Sequence, residues 1–281
     1  MTEQPTCWIN GEPSSQLETS DRGLAYGHGL FETMRVCDGA APLLHYHLER
    51  LHIGAQVLGI PVEQDALEKQ LATFLKKHPE AGIIKILVTA GCGGRGYQMP
   101  EPLTPNIVLQ WHPLAVQTSQ ELRLRLCQHR LPNNPPLAGI KHLNRLDQII
   151  ARQEWSGSGE SSDWHEGILL DTQGRPVEAV ASNLFVWLRG AWVTPKLHRC
   201  GVAGVMRRVI MDQLCPALGI DVVERDMHKD ELAKASEMIL CNSVQGIRSV
   251  ASVNQLVDYQ ENTQGQQLRR TLGEQYACFR C

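Results

Sequence analysis

Gly139-Ile140-Lys141-His142-Leu143-Asn144-Arg145 is the stretch around which the chain is organised. Before it lies Leu131-Pro132-Asn133-Asn134-Pro135-Pro136, too rich in breakers to continue a helix or a central strand. After it, Leu143, Leu146, Ile149, Ile150 and Trp155 recur at the spacing of one helix face. Lys141 is therefore expected where a loop enters a helix, beside apolar residues. Lost solvation there would lower the pKa of its amine toward neutrality, and a neutral amine can form a Schiff base with an aldehyde. Most lysines are solvated surface groups, so this chemistry needs support from the rest of the chain.

Composition narrows the field. With 281 residues the chain can bury two cores of ordinary size. An apolar content of 42% and a charged content of 20% describe a globular protein. A net charge of −3 gives no reason to expect nucleic acid or an anionic membrane as partner, and a small-molecule substrate is the expectation. Met1-Thr2-Glu3-Gln4-Pro5 has neither a basic nor an apolar region of a signal peptide, and no apolar run reaches transmembrane length. The nine cysteines are scattered and odd in number, which points to reduced thiols and a cytoplasmic location. Cys278 and Cys281 form a lone C-x-x-C without the second ligand pair of a zinc site, so no metal is expected.

Taken in order, Ile9-Asn10-Gly11 reads as a strand entering a turn, and Leu30 to Val36 alternates before Asp38-Gly39 as the first arm of a hairpin. Leu44, Leu48, Leu51, Ala55 and Leu58 make a helical stripe closed by Gly59, and Leu67, Leu71 and Leu75 make a second. Ile83–Val88 and Asn106–Trp111 read as neighbouring strands around a glycine-rich loop, 91–105. Residues 1–112 form the expected small N-terminal α/β domain, 113–120 the linker, and 121–281 the larger domain, which would carry Lys141. In the latter, Leu122, Leu124 and Leu126 alternate as a half-exposed strand, and Ser156-Gly157-Ser158-Gly159 reads as a loop. Strands at 168–170, 222–223 and 238–240, hairpin turns at Gln173-Gly174 and Arg189-Gly190, and helices over 205–214 and 264–279 complete it. Interleaved strands and helices give an α/β or α+β class.

The lysine segment resembles that of aminodeoxychorismate lyases, which belong with branched-chain and D-amino-acid aminotransferases to the fold-type IV family of pyridoxal-phosphate (PLP) enzymes. The likeness runs from Trp8-Ile9-Asn10-Gly11 to the 241–250 region, and Gly94-Arg95-Gly96-Tyr97 shares with the Lys141 motif the features of the lyase branch. It implies a two-domain D-amino-acid-aminotransferase-like fold with PLP between the domains, a homodimer that completes each site, and formation of 4-aminobenzoate and pyruvate in folate biosynthesis. Lys141 would be the Schiff-base lysine. Glu178, in Pro176-Val177-Glu178-Ala179-Val180-Ala181-Ser182-Asn183-Leu184-Phe185, would face the pyridine nitrogen; read without the family it is a surface glutamate in a hairpin.

Phosphate binding has three candidate parts under this resemblance. Arg50, in His47-Leu48-Glu49-Arg50-Leu51, would clamp the phosphate with its planar guanidinium, the bland alternative being a solvated helix arginine. Gly201-Val202-Ala203-Gly204-Val205-Met206-Arg207 opens a helix whose free N–H groups at Val205 and Met206 suit an anion. Met206 stands where relatives often have threonine. Ser243, and more weakly Asn242, would complete the cradle. Thr33, in Tyr26-Gly27-His28-Gly29-Leu30-Phe31-Glu32-Thr33, would face the cofactor, or would simply pair strands. Tyr26 and His28 of the same motif, with Arg95 and Tyr97 of a mobile loop, are the substrate-binding candidates. That loop, Gly91-Cys92-Gly93-Gly94-Arg95-Gly96-Tyr97, lacks the Gly-Lys-Ser/Thr end of a P-loop. His45 and His47 read as capping or half-buried groups rather than metal ligands. Two other functions remain open: a fold-type IV aminotransferase using the same Lys141, Glu178 and Arg50, and a non-catalytic PLP-binding protein.

Overall fold

Alternation in the strand after Gly27 builds the first sheet. The computed structural model describes residues 6–114, 121–155 and 164–280. The chain divides into two units, Met1–Val116 with Ile140–Asn144, and Gln117–Gly139 with Arg145–Cys281.

The first unit contains β1 (Cys7–Ile9), β2 (Glu12–Pro13), α1 (Arg22–Tyr26), β3 (Gly29–Val36), α2 (Leu44–Leu58), α3 (Gln64–Leu75), β4 (Gly82–Thr89) and β5 (Asn106–Pro113). Its sheet has the order β2-β1-β5-β4-β3. Every second residue of β3 is buried, α2 packs against β3 with Leu48, Leu51 and Ala55 buried, and α3 packs against β5 with Leu67, Leu71 and Phe74 buried. The expected hairpin after β3 is not formed with an adjacent strand. Asp38 and Gly39 both adopt positive φ and make a tight turn closed between Cys37 and Ala40, which launches α2 instead. β3 pairs in antiparallel register with β4, which comes only after both helices.

Lys141, expected in the larger domain, groups with this first unit. The reason is backbone pairing at the edge of the sheet. Phe31 N–H donates to the Lys141 carbonyl (3.0 Å), Leu143 N–H donates to the Gly29 carbonyl (2.9 Å), and Leu30 bridges His142. Lys141 is thus held in extended backbone, and the helix begins only at Leu146.

The second unit contains β6 (Leu122–Leu131), α4 (Leu146–Gln153), β7 (Glu166–Asp171), β8 (Pro176–Ala179), β9 (Asn183–Leu188), β10 (Ala191–Thr194), α5 (Val205–Val209), α6 (Cys215–Leu218), β11 (Val222–Glu224), β12 (Glu237–Asn242), β13 (Gly246–Val253), β14 (Val257–Asp258) and α7 (Thr263–Gln275). A π-helical turn, Ile210–Leu214, joins α5 to α6. The strands form one mixed sheet in the order β11-β10-β9-β12-β13-β6-β7-β8, with β14 on β13. Leu124, Ile168, Leu184, Val186, Met238 and Leu240 fill its largest apolar cluster. The apolar stripe read on α4 points the other way from expectation. Leu146, Ile149 and Ile150 are 70%, 51% and 46% exposed, and Ala151 is the buried residue of the helix.

Residues 115–120 of the expected linker, and the 156–159 loop, lie outside the described residues. Cys7, Cys92, Cys127, Cys200, Cys215 and Cys241 are free thiols, but Cys37 and Cys278 are disulfide-bonded, against the expectation of reduced thiols throughout. Cys281 lies outside the described residues. No helix among the described residues is long and apolar enough to cross a membrane.

Candidate active site

The alternation of β3 sorts its side chains into two chemically different faces. Phe31, Thr33 and Arg35 lie on the half-exposed face. The Lys141 ammonium nitrogen stands 4.3 Å from the centre of the Phe31 ring, and the Lys85 nitrogen, from β4 opposite Thr33, stands 5.6 Å from the same ring. Lys141 is half-buried there, so the amine is supported by an aromatic face and still reachable. Lys85 and Arg35 were not singled out in the sequence. Their signal is cross-strand register, which only the paired sheet reveals.

The other face of β3 carries Glu32, 1% exposed. Its carboxylate accepts from Arg50 Nε (2.8 Å) and Nη2 and meets His47 Nδ1 at 2.6 Å. Burial alone would raise the Glu32 carboxyl, but the charges and hydrogen bonds of Arg50 and His47 overcome it and hold the group at about 2. His47 is pushed below its ordinary value, first by burial and further by the nearby charges of Arg50 and Lys141, while Glu32 pulls the other way. Arg50 is therefore a largely buried guanidinium clamped in a fork by a carboxylate, with only 11% of its side chain exposed, and not a solvated helix arginine. Glu32 is the residue that sequence reasoning passed over. An acid on the buried phase of an alternating strand was its signal.

Tyr26 and Tyr97 meet with ring centres 5.6 Å apart, and Tyr97 is 88% exposed. His28 has both ring nitrogens engaged, Nε2 with the Leu58 carbonyl at 2.9 Å and Nδ1 with Arg22 Nε at 3.3 Å, so it braces the fold rather than presenting a free nitrogen. The His45 and Tyr46 rings meet tilted, with centres 3.9 Å apart. Among the described residues no group of three metal-ligating side chains comes together.

In the second unit Glu178 lies on β8, 4% exposed. One carboxylate oxygen accepts the Val202 N–H at 2.8 Å, and the other lies 3.4 Å from Gln148 Nε2. Arg145 supplies nearby positive charge; burial draws its guanidinium down, and the carboxylates of Glu178 and Asp147 oppose that. Asn183 Nδ2 donates to the Val202 carbonyl at 2.9 Å. Glu178 and Asn183 thus grip the loop that enters α5 from two sides. A side chain at Gly204 would bring Cβ within 1.9 Å of Asn183 Oδ1, so this close approach requires glycine. Val205 and Met206 follow as the first helical residues, whose N–H groups have no partner within the helix. Met206 is fully buried.

Asn242 is committed locally. Its Oδ1 accepts the N–H groups of Val244 (3.0 Å) and Gln245 (2.7 Å), and its Nδ2 donates to Ser182 Oγ (3.1 Å). It shapes the turn that carries half-buried Ser243.

Each unit carries groups whose chemistry suits part of a phosphorylated pyridine aldehyde: the first an amine at Lys141 and an oriented guanidinium at Arg50, the second a buried carboxylate at Glu178 and a glycine-dependent helix entry.

The chain is similar to the 4-amino-4-deoxychorismate lyase of Pseudomonas aeruginosa, at 40% identity and a TM-score of 0.90, with 96% of this chain and 99% of that one covered. It is 33% identical over 255 residues to the aminodeoxychorismate lyase of Vibrio harveyi, across 88% of this chain and 91% of that protein. It is 26% identical over 265 residues to the branched-chain-amino-acid aminotransferase of Escherichia coli K12, across 88% of this chain and 84% of the other. The profile of the amino-transferase class IV family matches residues 29–253, and the chain belongs to that family of PLP-dependent enzymes.

Proposed function

We propose that the protein is a 4-amino-4-deoxychorismate lyase, which splits its substrate into 4-aminobenzoate and pyruvate in folate biosynthesis, and that it works as a cytoplasmic homodimer. The observation that carries this reading is Lys141 held over Phe31 by backbone pairing to β3, in a chain that closely matches two lyases of that name. The exposed Leu146, Ile149 and Ile150 give a second copy an apolar surface to cover.

When bound, PLP supplies an electron sink for the substrate carbon that bears the amine. Lys141 Nζ would hold the cofactor and, once free, would take the proton from the substrate ring carbon that bears the amine. Departure of the enolpyruvyl oxygen makes the ring aromatic, and Lys141 returns a proton to the leaving group, which emerges as pyruvate. Substrate and products balance without added water or oxidant. The Glu178 carboxylate would keep a proton on the pyridine nitrogen. Arg50, oriented by Glu32, would bind the phosphate, as would the N–H groups of Val205 and Met206 and the Ser243 hydroxyl. Thr33 shares the sheet face of Phe31 and meets the reacting end. Arg95 pairs with a substrate carboxylate, and Tyr26 and Tyr97 pack on its ring.

Purified protein given aminodeoxychorismate and no keto acid should turn over many times, with pyruvate and 4-aminobenzoate appearing in equal amounts. A single turnover that leaves pyridoxamine phosphate and resumes with 2-oxoglutarate would make it an aminotransferase instead. No turnover with PLP still bound would leave a binding protein.

A further inference from the structure

Arg22 is 4% exposed, yet among the described residues no carboxylate pairs with it. Its neighbour Asp21 is spoken for. One Asp21 oxygen caps α1 through the N–H groups of Gly23 and Leu24, and the other accepts from Thr89 Oγ1 (2.6 Å) and Asn106 Nδ2 (2.8 Å). The guanidinium instead faces the glycine-rich loop. Nη1 points at the carbonyls of Gly93 (3.3 Å), Gly96 (3.2 Å) and Gln98 (3.2 Å), and Nη2 at that of Tyr97 (3.3 Å). The plane of Arg22 also lies 5.1 Å from the Tyr26 ring, which in turn meets Tyr97. Gly94 has φ +79°, and a Cβ there would come within 2.2 Å of the Gln98 carbonyl and 3.1 Å of Arg22 Nη1. The loop closes over the guanidinium too tightly for any side chain at that point.

A buried charge without a counter-ion is costly, so the loop carbonyls and the cation stabilise each other. If the loop opened, it would strip Arg22 of most of its partners. The loop expected to be mobile is therefore tied from beneath, with the side chain of Arg95 outside the tie and Tyr97 exposed.

We propose that Arg22 is a positioning residue for substrate: by gathering the carbonyls of Gly93, Gly96, Tyr97 and Gln98 it fixes Arg95 and Tyr97 in the orientation that receives a carboxylate-bearing ring. This rests on the lyase reading above. Lysine cannot replace it, because a single ammonium lacks the planar fork that reaches His28 on one side and the loop on the other.

The test uses the PLP-loaded enzyme with Arg22→Lys and Arg22→Ala. Amide exchange over 93–98 should quicken by about ten- to a hundredfold while β3 and β4 keep their protection, and KM should rise by about tenfold or more with kcat little changed. Added guanidinium ion should return both protection and KM in Arg22→Ala. Arg95→Gln should raise KM alike, and combining it with Arg22→Lys should add little, because both act through one contact. Unchanged exchange, faster exchange with an unmoved KM, an additive double variant, or protection lost equally across β3 and β4 would each overturn the proposal. A wild-type protein that never releases pyruvate refutes the lyase reading instead, and the hold on the loop is then decided by exchange and its return with guanidinium.

Discussion

At Lys141 the deciding interaction is made by backbone, not by side chain. The carbonyl of Lys141 accepts from Phe31, which fixes where its amine stands on the aromatic ring. Lys141→Ala should therefore fold normally and lose turnover, and after borohydride treatment of the wild type the pyridoxyl group should map to Lys141; recovery on Lys85 or Lys196 would sink the assignment. On the proposed role of Arg50 as a charge-assisted phosphate partner, a contact worth about 1.5–3 kcal/mol, Arg50→Ala should lower PLP affinity roughly ten- to a hundredfold. A PLP titration equal to wild type would mean that Arg50 serves Glu32 alone. Glu32 brings a pH dependence. Its carboxyl falls from 4.5 to about 2 in the folded unit, so its contribution is fully present above 4.5 and is lost as pH falls toward 2. The shift corresponds to something on the order of 3 kcal/mol. His47, lowered from 6.5, acts in the same direction, because the unfolded chain takes up its proton first. Urea midpoints should drop on acidification from below 6.5, and Glu32→Gln should flatten the part below 4.5. An unaltered acid limb in that variant would contradict the assignment.

At the scale of elements, the entry to α5 is the most exacting piece of backbone. Its loop is held by Glu178 through Val202 N–H and by Asn183 through Val202 carbonyl, and Gly204 leaves the room for Asn183. Gly204 has φ −65°, so alanine there meets no backbone strain, only the 1.9 Å collision with Asn183. Gly204→Ala should loosen the N–H cradle and cost about 1–3 kcal/mol, as overpacking does. PLP affinity measured by cofactor absorbance should fall further than the melting temperature predicts. If both stay at wild-type values, Asn183 does not set this geometry. Helix α4 shows the opposite case. Its apolar spacing is real, but the spacing gives a stripe and not the direction in which the stripe faces.

For the whole molecule, that outward stripe leads to an assembly prediction. Ile149→Asp with Ile150→Asp should shift the protein toward monomer in light scattering and lower activity, whereas an unchanged dimer would place the contact elsewhere. Much of the architecture was already in the sequence. Period-two alternation set β3 and β6, and 3.6-residue spacing with Gly59 at the end set α2, because burial of one face imposes those periods locally; an apolar, β-branched run set β4. The roles proposed for Lys141, Glu178 and the glycines before α5 came from the family resemblance and not from periodicity. Other features depended on contacts remote in sequence. Ile140–Asn144 joins the first unit because β3, more than a hundred residues earlier, offers its edge. Glu32 meets Arg50 because a strand residue and a helix residue 18 positions apart share one buried layer. Arg22 lies 71 to 76 positions from the loop it holds. Local periodicity records which face of an element is buried, while partners across such distances are chosen only when the packed chain brings them together.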